Sequence, residues 1–170
     1  MDNRDNPKTQ PPIVSIVGRA KVGKTTFLVK LIAELTGRGY DVAVIKHTVH
    51  SFAFGQPGKD THRHTEAGAK AVALASAREL VLTRPLAAEL EIDQIAPMLG
   101  DVDLILTEGY KQAHKPKIEV SRRELGTDLV GRSSEIIAVV SDHPIALDVP
   151  RFDLDDARGI ANLIEQRFLS

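Results

Sequence analysis

The sequence predicts an α/β fold, a mostly parallel β-sheet flanked by helices, with a small β-hairpin extension. Three observations lead there. Short β-branched runs are separated by a segment of helical apolar spacing, as in a strand–helix–strand crossover. A glycine loop, Gly18 to Thr26, joins the first such run to the first helical segment. His47, Glu108 and Asp142 fall just after strand-like runs, at the carboxyl ends of strands where open α/β sheets bind ligands.

The elements follow in order. Residues 1–11 are polar and proline-containing and read as a flexible tail, and residues 12–170 as a single domain. Ile13 to Val17 is a buried strand bounded by Pro11-Pro12. Thr26 to Leu35 has helical apolar spacing, and the Gly37-Arg38-Gly39 cluster ends that helix. Asp41 to Lys46 is a second strand, so a right-handed parallel crossover links the two. From His47 to about Thr65 the pattern is irregular, as in a functional loop or lid. Ala69 to Ala75 and Glu79 to Thr83 are two short strands around Ser76-Ala77-Arg78. Glu91 to Leu99 is a short helix containing Pro97. Asp103 to Thr107, Lys117 to Val120 and Glu135 to Val140 are further strands, and Asp156 to about Phe168 is the last helix, with acids at its start.

The glycine loop carries the chemistry. Gly18-Arg19-Ala20-Lys21-Val22-Gly23-Lys24-Thr25-Thr26 matches G-x-x-x-x-G-K-[ST], in the strand–loop–helix context that pattern requires. The fold is therefore expected to be that of a P-loop NTPase. Backbone N–H groups from Arg19 through Ala20, Lys21, Val22 and Gly23 to Thr25 form a concavity for the β-phosphate, reinforced by the helix start. Lys24 reaches the β- and γ-phosphates as the catalytic cation, and the Thr25 hydroxyl binds Mg²⁺. Thr26 faces the α-phosphate or caps the helix. Arg19 and Lys21 are candidates for phosphate contact, for reaching a nucleotide on a second subunit, or for plain solvation.

Two acids extend the site. Glu108, after four buried-type residues and before Gly109, stands where P-loop proteins place a magnesium-linked carboxylate. The alternative is an acid capping a following turn. Asp103 starts the same strand, at the other sheet edge, and is not assigned to the metal. Asp142 follows a strand and is a candidate for accepting the N1 and N2 hydrogens of guanine, with a turn before Pro144 as its rival.

His47, His50, His62 and His64 surround Gln56-Pro57-Gly58-Lys59-Asp60. One reading is a transition-metal site. Another is a switch loop over the nucleotide, in which Asp60 orients water or holds Mg²⁺ through water and Lys59 and Arg63 face phosphate. A third is a solvated polar loop.

Composition removes several classes. Of 170 residues 42% are hydrophobic and 26% charged, and the net charge is −1. That balance gives no electrostatic case for nucleic acid or a membrane surface as partner. Cysteine is absent, which excludes disulfides and cysteine-ligated clusters and fits a cytoplasmic location. No tryptophan is present to build a stacking platform for single strands, and no apolar run is long enough to span a bilayer.

Together the motifs carry a family resemblance. They are Gly18 to Thr26, Lys46-His47-Thr48-Val49-His50, Pro57-Gly58-Lys59-Asp60-Thr61, Ala67-Gly68-Ala69, Asp103 to Lys111 with its Glu108-Gly109-Tyr110-Lys111, and Ser141-Asp142-His143-Pro144. In this order the chain resembles the molybdopterin-guanine dinucleotide biosynthesis protein B family. The resemblance implies a homodimeric GTP-binding adapter with weak Mg²⁺-dependent hydrolysis. Its partner would be the nucleotidyltransferase that joins GMP to molybdopterin, and it would hold GTP or the pterin without forming the bond. Two departures stand out: Gly55 replaces an acid expected three residues before Gly58, and the loop entry Arg19-Ala20-Lys21 is unusually basic. Other classes remain. A metal-delivery GTPase would carry a Cys-x-x-Cys or a long histidine tract, and neither exists here. A small-molecule kinase or ligase would pair the loop with a specific acceptor. A purely structural partner would not need Lys24 and Thr25 intact.

Overall fold

The computed structural model describes residues 10–48 and 60–169. In chain order they form β1 (Ile13–Val17), α1 (Lys24–Gly37), β2 (Val42–Lys46), α2 (Asp60–Glu66), β3 (Val72–Ala75), β4 (Leu80–Thr83) and α3 (Ile92–Ile95), followed by a 3₁₀ turn at Ala96–Leu99. Then come β5 (Leu104–Glu108), β6 (Lys117–Ser121), β7 (Ile136–Ser141), β8 (Arg151–Phe152) and α4 (Ala157–Ile164). The chain divides into two compact units, Met1–His47 with Ile92–Ser170, and Thr48–Glu91.

The larger unit is a six-stranded sheet in the order β2-β5-β1-β6-β7-β8, with every pairing parallel. Parallel strands are covered on both faces and so read as continuous apolar runs. Val14 and Ile16 of β1 join Leu104, Leu106, Ile118, Val120, Ala138 and Val140 on one face. Against that face lie Leu28, Leu31 and Leu35 of α1, at helical spacing, and Ile160, Ala161 and Ile164 of α4. The opposite face packs Ile13, Ile45 and Ile105 against Ile92 and Ala96. Its central row is polar but satisfied: Thr107 Oγ1 donates to Ser15 Oγ at 2.9 Å, and the buried Glu119 accepts from the N–H groups of Val130 and Gly131 at 2.6 and 2.9 Å. Lys117, also buried, donates to Glu135 Oε2 at 2.6 Å.

The smaller unit contains α2 and the antiparallel β3–β4 pair, in register from Val72 opposite Thr83 to Ala75 opposite Leu80. The Ser76 hydroxyl accepts from the N–H groups of Arg78 and Glu79 and shapes the turn. Leu74, Leu80 and Leu82 of this hairpin are exposed.

Two expectations need correction, and one strand had no sequence signal. The stretch to Thr65 is not irregular throughout, since Asp60–Glu66 is helical. It has no buried residue and so no apolar period to read; Asp60 in its first turn and basic groups in its last suit the helix dipole. The last helix is regular only to Ile164 and continues as a wider π turn over Glu165–Leu169. Strand β8 is two residues long and too short to announce itself in a sequence pattern.

Candidate phosphate and metal site

The sheet order sets the site. The ends of β1, β2, β5, β6 and β7 share one edge, so Gly18, His47, Glu108 and Asp142 all leave the sheet on the same side. Asp103 sits at the other edge, where its Oδ2 accepts from Asp41 N at 2.9 Å.

Gly18 has φ 142°, and a Cβ there would stand 2.3 Å from the Val120 carbonyl oxygen. The loop therefore lies directly on β6, and only glycine fits. Lys21 and Gly23 are left-handed at φ 62° and 100°, which curls the loop back onto α1. Val22 contributes only its backbone to the loop, because its side chain is buried in the core. Gly23 is the cap of α1, and the first turn of α1 contains no acid to neutralise the positive helix end. Thr26 is thus not the cap; it lies in the first turn of the helix, exposed.

Lys24 Nζ donates to Gly18 O at 3.2 Å and to Arg19 O at 2.7 Å, so its ammonium closes over the loop. Burial pulls the Lys24 pKa below the ordinary lysine range, Glu108 opposes that shift, and Lys111 and Lys46 reinforce it. The ammonium is thus partly desolvated, with two further lysines acting against its charge, a setting a bound anion would relieve.

Thr25 Oγ1 donates to Glu108 Oε1 at 2.7 Å, which leaves the hydroxyl oxygen's lone pairs for a cation. Lys46 stands opposite Glu108 in the β2–β5 register, and its Nζ lies 3.4 Å from Glu108 Oε2. Sequence reading placed Lys46 in a motif without this role. Its position at the end of a strand beside β5 was the available signal. His47 N donates to Glu108 O at 3.0 Å, and the His47 and Tyr110 rings meet at 4.8 Å. Gly109, φ 99°, lets the chain turn against His47, whose Cβ would lie 3.2 Å from an added methyl. A hydroxyl and a carboxylate are hard oxygen donors of the kind Mg²⁺ takes, with water completing its shell. The residues present therefore fit that ion.

The loop entry turns to its own chain. Arg19 Nη2 lies 3.6 Å from Asp128 Oδ2, with its guanidinium packed over Gly126. Ala20 is exposed beside it. Asp142 is exposed, and its Oδ1 accepts from Arg123 N at 2.9 Å. That bond, first among several influences, holds its carboxyl below the usual carboxylate range. This bond is to the segment after β6 and is not the turn before Pro144 weighed from sequence. Asp60 opens α2 in the smaller unit. Lys59 and His50 lie outside the described residues, and among the described residues no three histidine or acidic side chains converge as a metal site.

A family model described as molybdopterin guanine dinucleotide synthesis protein B matches residues 13–142. The chain belongs to this family. It is 36% identical over 164 residues to the molybdopterin-guanine dinucleotide biosynthesis adapter protein of Escherichia coli, covering 92% of this chain and 93% of that one. To the adapter protein of the same name in Haemophilus influenzae it is 35% identical over 158 residues, covering 92% and 89%. A crystal structure of molybdopterin-guanine biosynthesis protein B superposes with TM-score 0.70 at 32% identity, covering 91% of this chain and 97% of that chain. Bacillus subtilis MobB gives TM-score 0.74 at 27% identity, covering 92% and 98%. In this MobB family member the matched segment contains the loop, Lys46, Glu108 and Asp142.

Proposed function

We propose that this MobB family member is a GTP-binding adapter in molybdenum cofactor biosynthesis, assisting attachment of the guanine nucleotide to molybdopterin. The observation that carries the nucleotide part is the Thr25–Glu108 hydrogen bond beside Lys24. It joins a hydroxyl and a carboxylate suited to Mg²⁺ with a cation suited to the β- and γ-phosphates. The amides from Arg19 to Thr25 cradle the polyphosphate. Lys46 and Lys111 add positive charge near the γ-phosphate, and Asp142, two strands from β1, reads guanine with its second oxygen. Asp60 and Lys59 act in hydrolysis, Asp60 orienting water and Lys59 facing phosphate, a role that rests on their sequence segment.

The names of the relatives support the pathway. The nucleotidyltransferase that guanylates molybdopterin is the proposed protein partner. A homodimer is supported by the exposed leucines of the β3–β4 hairpin, an apolar surface suited to a second copy. Cytoplasmic location agrees with a chain in which no described helix is long and apolar enough to cross a membrane.

The test is a guanylation assay. Molybdopterin, MgGTP and the partner nucleotidyltransferase are mixed with and without this protein, at GTP concentrations that limit the reaction. The expected result is faster formation of the guanine dinucleotide when the protein is present. Identical rates at every GTP concentration would refute the adapter role.

A further inference from the structure

Arg122 lies outside every motif of the sequence, yet it touches the phosphate loop. It directly follows β6, and its Nε donates to the Val22 carbonyl oxygen at 2.9 Å. Its Nη2 lies 3.5 Å from the position a Cβ would take on Gly23, so the guanidinium runs along the Val22–Gly23 peptide. A trans peptide points its C=O and its N–H in opposite directions. The sheet order β5-β1-β6 puts Arg122 on one flank of the loop and Glu108 on the other. A donor that holds the Val22 carbonyl toward β6 therefore turns the Gly23 N–H toward Lys24 and Glu108.

The arginine is itself held in place. Asp142 Oδ1 accepts from the next residue, Arg123 N, and Leu125 N donates to Arg122 O at 3.0 Å. The turn at Arg123–Leu125 thus fixes the backbone on which the guanidinium is mounted.

We propose that Arg122 is a positioning residue for the phosphate loop: by gripping the Val22 carbonyl it aims the Gly23 amide at the polyphosphate. The proposal rests on reading the loop as a polyphosphate site. It explains why a cation is placed at the loop's outer side, where it meets a carbonyl. An amide that is aimed before binding needs no reorientation when the anion arrives.

The test uses Arg122→Met, which keeps the stem and removes the donor, and Arg122→Lys, which restores a donor. Affinities for pyrophosphate and for MgGTP are measured by titration. The amide resonance of Gly23 is followed by ¹⁵N NMR as pyrophosphate is added. Arg122→Met is expected to weaken both ligands by the same factor, about tenfold, the size of one charge-assisted hydrogen bond. Its Gly23 resonance should move much less than in the unmutated protein. Arg122→Lys is expected to stay within about threefold of the unmutated protein. Unchanged affinity and an unchanged Gly23 shift in a folded Arg122→Met would overturn the role of Arg122 alone. So would a folded Arg122→Lys that loses about tenfold while its Gly23 resonance still moves as in the unmutated protein, since affinity would then fall with no change in the aim of that amide, and this arm decides the matter if the methionine variant does not fold. An unmutated protein that ignores pyrophosphate and MgGTP would overturn the polyphosphate reading first, and this inference with it.

Discussion

Lys24→Ala is expected to weaken MgGTP binding by at least about a hundredfold, the scale for deleting one partner of a buried, hydrogen-bonded charge pair. The residue does two things at once. Its ammonium closes over the loop by bonding Gly18 O and Arg19 O, and it is the group that would transfer to phosphate. Burial already strains its charge, with Lys111 and Lys46 adding to the repulsion and Glu108 opposing it. A bound triphosphate reverses that balance and raises the lysine pKa. The sign then follows: at alkaline pH the complex holds more protons than the free protein, so affinity falls as pH rises through the lowered pKa of free Lys24. Titration calorimetry across the alkaline range should find that slope in the unmutated protein and not in Lys24→Ala. A variant that binds normally at neutral pH would remove Lys24 from the site.

The second large effect is expected from Gly18→Ala. A methyl at this position meets the Val120 carbonyl oxygen at 2.3 Å, a backbone atom in the middle of the core sheet. The φ of 142° also disfavours any side chain. Overpacking and backbone strain together should cost about 2–4 kcal/mol of folding stability. The loop must lift off β6, and MgGTP affinity should fall with it. Gly23→Ala provides the contrast. Its φ is 100°, but the nearest atoms to an added methyl are the Arg122 side-chain nitrogens at 3.5 and 3.7 Å. That variant should lose about 1–2 kcal/mol, from strain alone. Urea denaturation of both variants checks the order, and a Gly23→Ala less stable than Gly18→Ala would contradict the close contact with β6.

Much of this site is legible in the sequence because its parts sit at strand ends. A β-branched run, a glycine loop and an amphipathic helix place Lys24 and Thr25 with no need for long-range information. Glu108 is legible because an acid after Leu104 to Thr107 must emerge at a sheet edge. The parallel pairing of β1 with β5, Ile16 opposite Glu108, then brings it to the loop. What escaped were contacts made by residues with no local pattern. Arg122 in Ser121-Arg122-Arg123 belongs to no motif, and only the β1–β6 pairing sets it beside Val22. Asp142 reads as a base-reading acid or a turn former, and its bond to Arg123 N, 19 residues away, could not be seen. The helix at Asp60 lacks an apolar face, so histidine-rich polarity concealed it. β8 is held by its pairing with β7, Val139 opposite Arg151, rather than by any run of its own.

The most direct measurement is the Mg²⁺ dependence of GTP affinity in the unmutated protein and in Glu108→Ala. The unmutated protein should bind GTP several-fold more tightly than ATP and lose affinity when Mg²⁺ is chelated, because the Thr25 hydroxyl and the Glu108 carboxylate together suit the ion. Glu108→Ala should still bind GTP through the loop and Lys24, while chelation changes its affinity little. Full metal dependence in Glu108→Ala, or GTP binding by the unmutated protein that ignores Mg²⁺, would contradict the account.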